Sequence, residues 1–100
     1  MGLKTKLSED GHELSMAIDG RFDFSLHADF RNAYRDLPRN TRYSIDLGRS
    51  TFMDSSAMGM LLLLREYAGD KEADIHLVNC SPEVRKVLSI SNLDKMFQLD

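Results

Sequence analysis

The 100-residue sequence predicts an α/β fold in which a mixed sheet of four to five strands carries three to four helices. Segments with an apolar residue at every second position, the period of half-buried strands, alternate along the chain with segments of helical period. A strand–helix–strand connection is almost always right-handed and joins parallel strands. The order of the segments therefore predicts parallel neighbours after an initial antiparallel pair.

The strands are predicted from this alternation. Residues 3–7 and 14–18 each show it, and Asp10-Gly11 between them is typical of a hairpin turn. A third strand is predicted over residues 43–47, with Gly48 expected to close it. The remaining segments are a fourth strand around Ile75, Leu77 and Val78, and a tail, residues 93–99, that fits either a short helix or an edge strand.

Three segments have the period and the end signals of helices. The first covers residues 25–37, the second runs from about residue 56 to residue 68, and the third follows residue 81. Caps and terminators set their limits: Ser25 and Pro38 for the first, Gly69 for the second, and Ser81, Pro82 and Glu83 at the start of the third.

Composition and length narrow the possible functions. A chain with 42% hydrophobic and 29% charged residues fits one globular domain over residues 1–100. A net charge of −3 without a basic run argues against direct nucleic-acid binding. The longest apolar run, residues 57–64, is far below the roughly 20 residues of a membrane span. Without a secretory signal, and with the lone Cys80, the chain is expected in the cytoplasm.

Signatures of catalysis are weak in this sequence. Neither a phosphate-binding loop nor a G-x-G-x-x-G dinucleotide motif is present, so no cofactor is predicted. The three histidines lack ligand-spaced partners, so no metal site is predicted either. A hydrolase that pairs Ser55 with His27 or His76 and with Asp23 would need its triad assembled by the fold, and the G-x-S-x-G elbow is absent. The chain is therefore expected not to be an enzyme.

A short polar motif lies between the third predicted strand and the second predicted helix. Asp54-Ser55-Ser56 precedes the second predicted helix, whose first N–H groups need acceptors and carry a partial positive charge. Aspartate and serine are common N-cap residues. Capping alone would therefore explain the string.

The wider sequence around this string closely resembles a known signature. Residues 52–61 (FMDSSAMGML) resemble that of the STAS-domain anti-sigma factor antagonists, and in particular the proteobacterial branch of the family. Residues 20–23 (GRFD) and 79–88 (NCSPEVRKVL) resemble the family in the same register. The resemblance covers nearly the whole chain and implies the STAS fold. It places the family's phosphoacceptor serine at Ser55, and Ala57 departs from the glycine of Gram-positive members.

The resemblance implies a partner-switching cycle. The unphosphorylated antagonist would bind an anti-sigma factor, or a serine kinase with a histidine-kinase-like ATPase fold, and phosphorylation of Ser55 would end that binding. A PP2C-type phosphatase would restore it. A STAS accessory subunit of a lipid-transport ABC complex is the alternative. Further residues expected at the partner-binding surface are Arg21, Phe22, Asp23, Asp54, Ser56 and Met58.

Overall fold

The computed structural model describes residues 2–100. Within them the chain forms five strands and three α-helices, and the predicted α/β class with a mixed sheet is confirmed. The elements in chain order are β1 (Gly2–Leu7), β2 (Glu13–Phe22), α1 (His27–Tyr34), β3 (Arg42–Met53), α2 (Ser55–Tyr67), β4 (Asp74–Val78), α3 (Pro82–Ile90) and β5 (Gln98–Leu99). Short 3-10 helices lie at Phe24–Leu26, Asp70–Glu72 and Leu93–Lys95.

The strands lie in the sheet in their order along the chain. β1 pairs with β2 in antiparallel register, with Leu3 opposite Ile18, and β2, β3, β4 and β5 are parallel neighbours. Because each crossover contains a helix and advances by one strand, all three helices pack on the same face of the sheet. The carboxyl ends of the parallel strands thus meet at one edge, where functional residues of such sheets usually gather.

The hydrophobic core lies between the sheet and its three helices. Alternate residues of the central strands point into it, and Leu14, Tyr43 and Ile75 are among them. From the helices it receives Phe30, Tyr34, Ala57, Met60, Leu61, Leu64, Val84 and Leu88. The opposite face of the sheet is polar, and this explains why apolar and polar residues alternate along the strands in the sequence.

β2 and β3 are longer than the alternation predicts, and β2 continues to Phe22. β3 continues through Gly48 to Met53, so the expectation that Gly48 closes this strand is wrong. A Cβ atom on Gly48 would lie 3.1 Å from the Cβ of Asn79 and 3.1 Å from Oδ1 of Asp46. The glycine therefore serves close approach to a neighbouring segment and not chain reversal.

The helix ends also differ in detail from the predictions. The first helix is shorter than residues 25–37, and Asp23, not Ser25, caps the 3-10 turn that precedes it. The predicted cap of α3 is confirmed, since the Oγ of Ser81 accepts a hydrogen bond from the Val84 N–H at 3.2 Å. The tail contains both a 3-10 turn and a short strand. Within residues 2–100, none of the helices is long and apolar enough to cross a bilayer.

Candidate functional site

The predicted site lies at the turn from β3 into α2. Asp54 has an extended backbone, with φ −110° and ψ −175°, and its Oδ1 accepts a hydrogen bond from the Ala57 N–H at 3.0 Å. The same oxygen accepts a second bond from the Ser56 hydroxyl at 2.6 Å. Asp54 is therefore the N-cap that satisfies free donors of the helix, and Ser56 helps to hold it.

Ser55 is the first residue of α2, and its side chain is exposed. Among the described residues, none forms a hydrogen bond with its hydroxyl group, in contrast to Ser56 beside it and Ser25 across the turn. The unpaired N–H groups at a helix N-terminus give the position a partial positive charge. The fold thus presents one accessible hydroxyl in a place suited to an anion.

Asp23 is brought to the same end of the sheet by the neighbouring strand. β2 and β3 pair through Phe22 and Met53, and the Asp54 N–H donates to the Phe22 carbonyl at 3.4 Å. Asp23 directly follows and accepts bonds from Ser25, through its N–H at 3.0 Å and its hydroxyl at 2.6 Å. Two carboxylates therefore lie close together beside Ser55.

Both carboxylates are held in the ionised form. Hydrogen bonds from the Ser56 hydroxyl and then the Ala57 N–H lower the pKa of Asp54 below its ordinary value of 3.8. Donation by the Ser25 hydroxyl and N–H, and then by Arg21, lowers the pKa of Asp23 in the same way. Oδ1 of Asp54 and both carboxylate oxygens of Asp23 accept these hydrogen bonds, and the two side chains thereby hold the turn in place.

The lowered pKa of Asp54 predicts a specific dependence of stability on pH. A carboxyl group whose folded pKa is lowered stabilises the fold fully above its ordinary pKa of 3.8, and this contribution disappears as the pH falls through the folded value. Asp54→Asn keeps a capping side chain but removes the charge. The free energy of unfolding can be measured with urea at about pH 6 and at about pH 3. Its decrease between these two pH values is expected to be smaller for Asp54→Asn than for the unchanged chain.

The exposed Asp36 offers a matched control for this measurement. Its carboxylate is 91% exposed and lies 3.9 Å from Arg35, so Asp36→Asn is expected to leave the pH dependence almost unchanged. An Asp54→Asn chain that loses as much stability as the unchanged chain would show that the cap does not act through its charge.

Two aromatic side chains near the turn were not predicted as site residues. Phe24 is 66% exposed and stacks on His27, with ring centroids 4.9 Å apart. Phe52 is 39% exposed, and the guanidinium of Arg21 lies 4.1 Å from its ring centroid. Arg21 also forms an ion pair with Asp23 at 3.2 Å. In the sequence, only their positions could have indicated a role in the site, because Phe24 directly follows the motif at residues 20–23 and Phe52 begins the motif at residues 52–61.

These side chains define what we call the Ser55 surface. It consists of Arg21, Asp23, Phe24, Phe52, Ser55 and the half-buried Met58, which lies one helical turn beyond Ser55. The surface combines exposed apolar rings with charged groups. Such a combination of aromatic residues and arginine is typical of protein–protein contacts.

The expectation that Phe22 lies on the partner-binding surface is wrong. Its side chain is 0% exposed and packs against Phe30 with ring centroids 5.6 Å apart. The alternation of β2 extends to its last residue, which turns Arg21 outward and Phe22 inward. Phe22 therefore belongs to the core.

The hydrolase alternative loses its geometric basis. His76, on β4, lies opposite Ser44 of β3. Ser44 precedes Met53 by nine residues along β3, so His76 lies roughly 30 Å from Ser55. It hydrogen-bonds to Asp74 at 2.8 Å and to Asp100 at 2.9 Å. His27 stacks on Phe24, and within residues 2–100 no hydrogen bond joins it to Ser55. In the same residues, no group of three or more potential ligands that could hold a metal ion is present.

A mixed five-stranded sheet with three helices on one face, and a helix capped by Asp54 at its carboxyl edge, define an α/β domain. The family model described as "Mlab, STAS domain" matches residues 5–99, and the chain belongs to the STAS-domain family. It is 53% identical over 102 residues to the STAS-domain containing protein PA14_20770 of Pseudomonas aeruginosa (strain UCBPP-PA14), with 99% of each chain covered.

Solved structures of anti-sigma factor antagonists share this fold. SpoIIAA in its unphosphorylated form superposes with a TM-score of 0.78 at 21% identity, covering 99% of this chain and 88% of the other. The phosphorylated form of the Bacillus cell fate determinant SpoIIAA superposes with a TM-score of 0.70 at 20% identity, covering 99% of this chain and 91% of the other. An anti-sigma factor antagonist from Mycobacterium paratuberculosis superposes with a TM-score of 0.76 at 24% identity, covering 98% of this chain and 85% of the other. At these identities the likeness establishes the fold.

Proposed function

We propose that the chain is an anti-sigma factor antagonist that binds its partner when Ser55 is unmodified and releases it when Ser55 is phosphorylated. The observation that carries this proposal is the exposed, unbonded hydroxyl at the first residue of α2, beside exposed aromatic side chains. The family membership and the fold shared with antagonists support it. In this role the chain is a substrate and a ligand, not an enzyme.

The hydrogen bonds favour Ser55 over its neighbour as the phosphoacceptor. A kinase needs a hydroxyl that can reach the γ-phosphate of ATP, and the Ser55 side chain is free to do so. Ser56 is half-buried, and its hydroxyl donates to Asp54 at 2.6 Å. Modification of Ser56 would remove a bond that holds the cap of α2, at the expense of helix stability.

The fold can accept a phosphoryl group on Ser55. Phosphorylation adds roughly 1.5 to 2 negative charges, and an anion at a helix N-terminus is favourable by about 0.3 to 1 kcal/mol. The carboxylates of Asp23 and Asp54 oppose this, while the exposed guanidinium of Arg21 offers a partner for the phosphate. The domain is therefore expected to stay folded, and the change in affinity arises at the partner's surface.

The partner is proposed to contact the Ser55 surface through its apolar members, Phe24, Phe52 and Met58. Candidates are an anti-sigma factor or a serine kinase with a histidine-kinase-like ATPase fold, and a PP2C-type phosphatase would reverse the modification. This cycle would operate in the cytoplasm. A water-excluding contact around Ser55 would make the partner sensitive to added charge, because an unpaired buried charge costs several kcal/mol.

Site-specific labelling tests the assignment. The chain, incubated with its cognate kinase and ATP, is expected to carry phosphate on Ser55 by peptide mass spectrometry, and Ser55→Ala is expected to remove all labelling. Ser56→Ala is the matched control, and it should retain most of the labelling because Ser55 stays exposed. Equal labelling of Ser55→Ala would refute the assignment. Co-purification with a transporter ATPase, without phosphorylation in cells, would instead favour the lipid-transport accessory subunit.

A further inference from the structure

A second surface feature lies along the seam between α1 and α2. It is an open groove of about 490 Å³, lined by His27, Arg31, Tyr34, Arg35, Leu63 and Tyr67. A narrower part continues inward between the helices to Phe30 and Met60. We refer to this feature as the α1–α2 groove. It runs along the sides of the two helices, whereas the Ser55 surface lies at the end of the sheet.

The two walls of the α1–α2 groove differ in chemistry. On α1 and its C-cap, His27, Arg31 and Arg35 follow one another at intervals of four residues, so their side chains lie on one helical face. On α2, Leu63 and Tyr67 are also four residues apart, and Leu63 is 53% exposed. A basic stripe thus faces an apolar stripe across the groove.

The charge of the groove opposes that of the molecule. The chain carries a net charge of −3, yet the described residues that line the groove include no carboxylate. Arg35 lies 3.9 Å from Asp36, but both groups are exposed and such a pair is worth little. Among residues 2–100, Arg31 has no carboxylate within ion-pair distance. Positive charge is therefore available to a partner on this wall.

We propose that the α1–α2 groove binds an acidic amphipathic helix of a partner protein. Its acidic side chains would pair with Arg31 and Arg35, and its apolar side chains would cover Leu63. His27 and Arg35 are eight residue steps apart along the helix, a rise of about 12 Å, which matches roughly two turns of a docked helix. Helix-in-groove binding uses anchors at such helical intervals.

The charge and the shape of the α1–α2 groove favour an acidic helix over a nucleic acid or a bilayer surface. A nucleic acid would be repelled by the net charge of −3 and would find only a short basic stripe. A bilayer surface requires a convex or flat apolar face, whereas Tyr34 and Tyr67 line a concave one. The groove begins at His27, which stacks on Phe24, but Ser55 does not line it, so this proposal does not depend on the proposed phosphorylation.

Binding of a synthetic peptide tests the proposal. The probe is a hydrocarbon-stapled helix of about 14 residues with leucines on one face and glutamates beside them, labelled with fluorescein and titrated with the full chain. We expect micromolar affinity, at least tenfold weaker binding to Arg31→Glu and to Leu63→Asp, and amide shift changes confined to α1 and α2. The exposed Lys86 on α3 provides the control, since Lys86→Glu makes the same charge change elsewhere.

The possible outcomes decide the question. Equal affinity of Arg31→Glu and Lys86→Glu, or shift changes outside α1 and α2, would overturn the proposal. So would the absence of binding at millimolar peptide, or tighter Arg31-dependent binding of an oligonucleotide or of phosphatidylglycerol vesicles than of the peptide. Ser55→Ala should bind the peptide like the unchanged chain, which separates this test from that of the Ser55 cycle.

Discussion

Phosphorylation of Ser55 is expected to weaken binding of the cognate anti-sigma factor by at least about tenfold, a loss of about 1.4 kcal/mol or more. The phosphate adds roughly 1.5 to 2 charges to a surface where Phe24 and Phe52 present exposed rings. Removing these charges from water without compensation costs several kcal/mol, so a much larger effect is compatible with the geometry. The thermal midpoint of the chain itself should change little, because the helix N-terminus accepts an anion.

Titration calorimetry of the purified phosphorylated and unphosphorylated chains against the anti-sigma factor measures this effect. Ser55→Asp carries only one negative charge and should give an intermediate loss, while Ser55→Ala should bind but escape release by the kinase. The exposed Ser89 on α3 is a matched control, and Ser89→Asp should bind normally. Equal affinity of the phosphorylated and unphosphorylated chains would contradict the switching mechanism, whatever the labelling result.

Replacing Phe22 by alanine is expected to destabilise the domain by about 3 to 5 kcal/mol, the range for a fully buried phenylalanine. The ring is 0% exposed and contacts Phe30, so its loss leaves a cavity beneath the turn that holds Asp23. Phe24→Ala, two residues away, removes a 66% exposed ring and should change the unfolding free energy by less than about 0.5 kcal/mol. Its expected effect is weaker partner binding.

This pair of variants separates a core residue from a contact residue. Urea unfolding gives the stability of each variant, and calorimetry with the anti-sigma factor gives the affinity. If Phe22→Ala were as stable as the unchanged chain, the inward orientation of this side chain would be wrong. If Phe24→Ala bound its partner normally, the aromatic part of the Ser55 surface would have no role in docking.

Local rules anticipated much of the fold. Alternation and helical period identified the strands and helices, because each element buries one face and the sequence repeats with that face. The residues Asp54 and Ser81 were recognisable as caps, since capping depends on atoms only a few residues away. The candidate phosphoacceptor came from the resemblance of residues 52–61 to a family signature, while composition and period favoured a simple cap.

Only the tertiary structure decided which side chains share a surface. The pairing of β2 with β3 brings Asp23 beside Asp54, and the length of β2 turns Phe22 inward and leaves Phe24 outside. The groove between α1 and α2 likewise depends on how two helices separated in sequence pack together. Helical and strand periods specify which face of an element is buried, but not which other element lies against it, because that choice depends on contacts between distant parts of the chain.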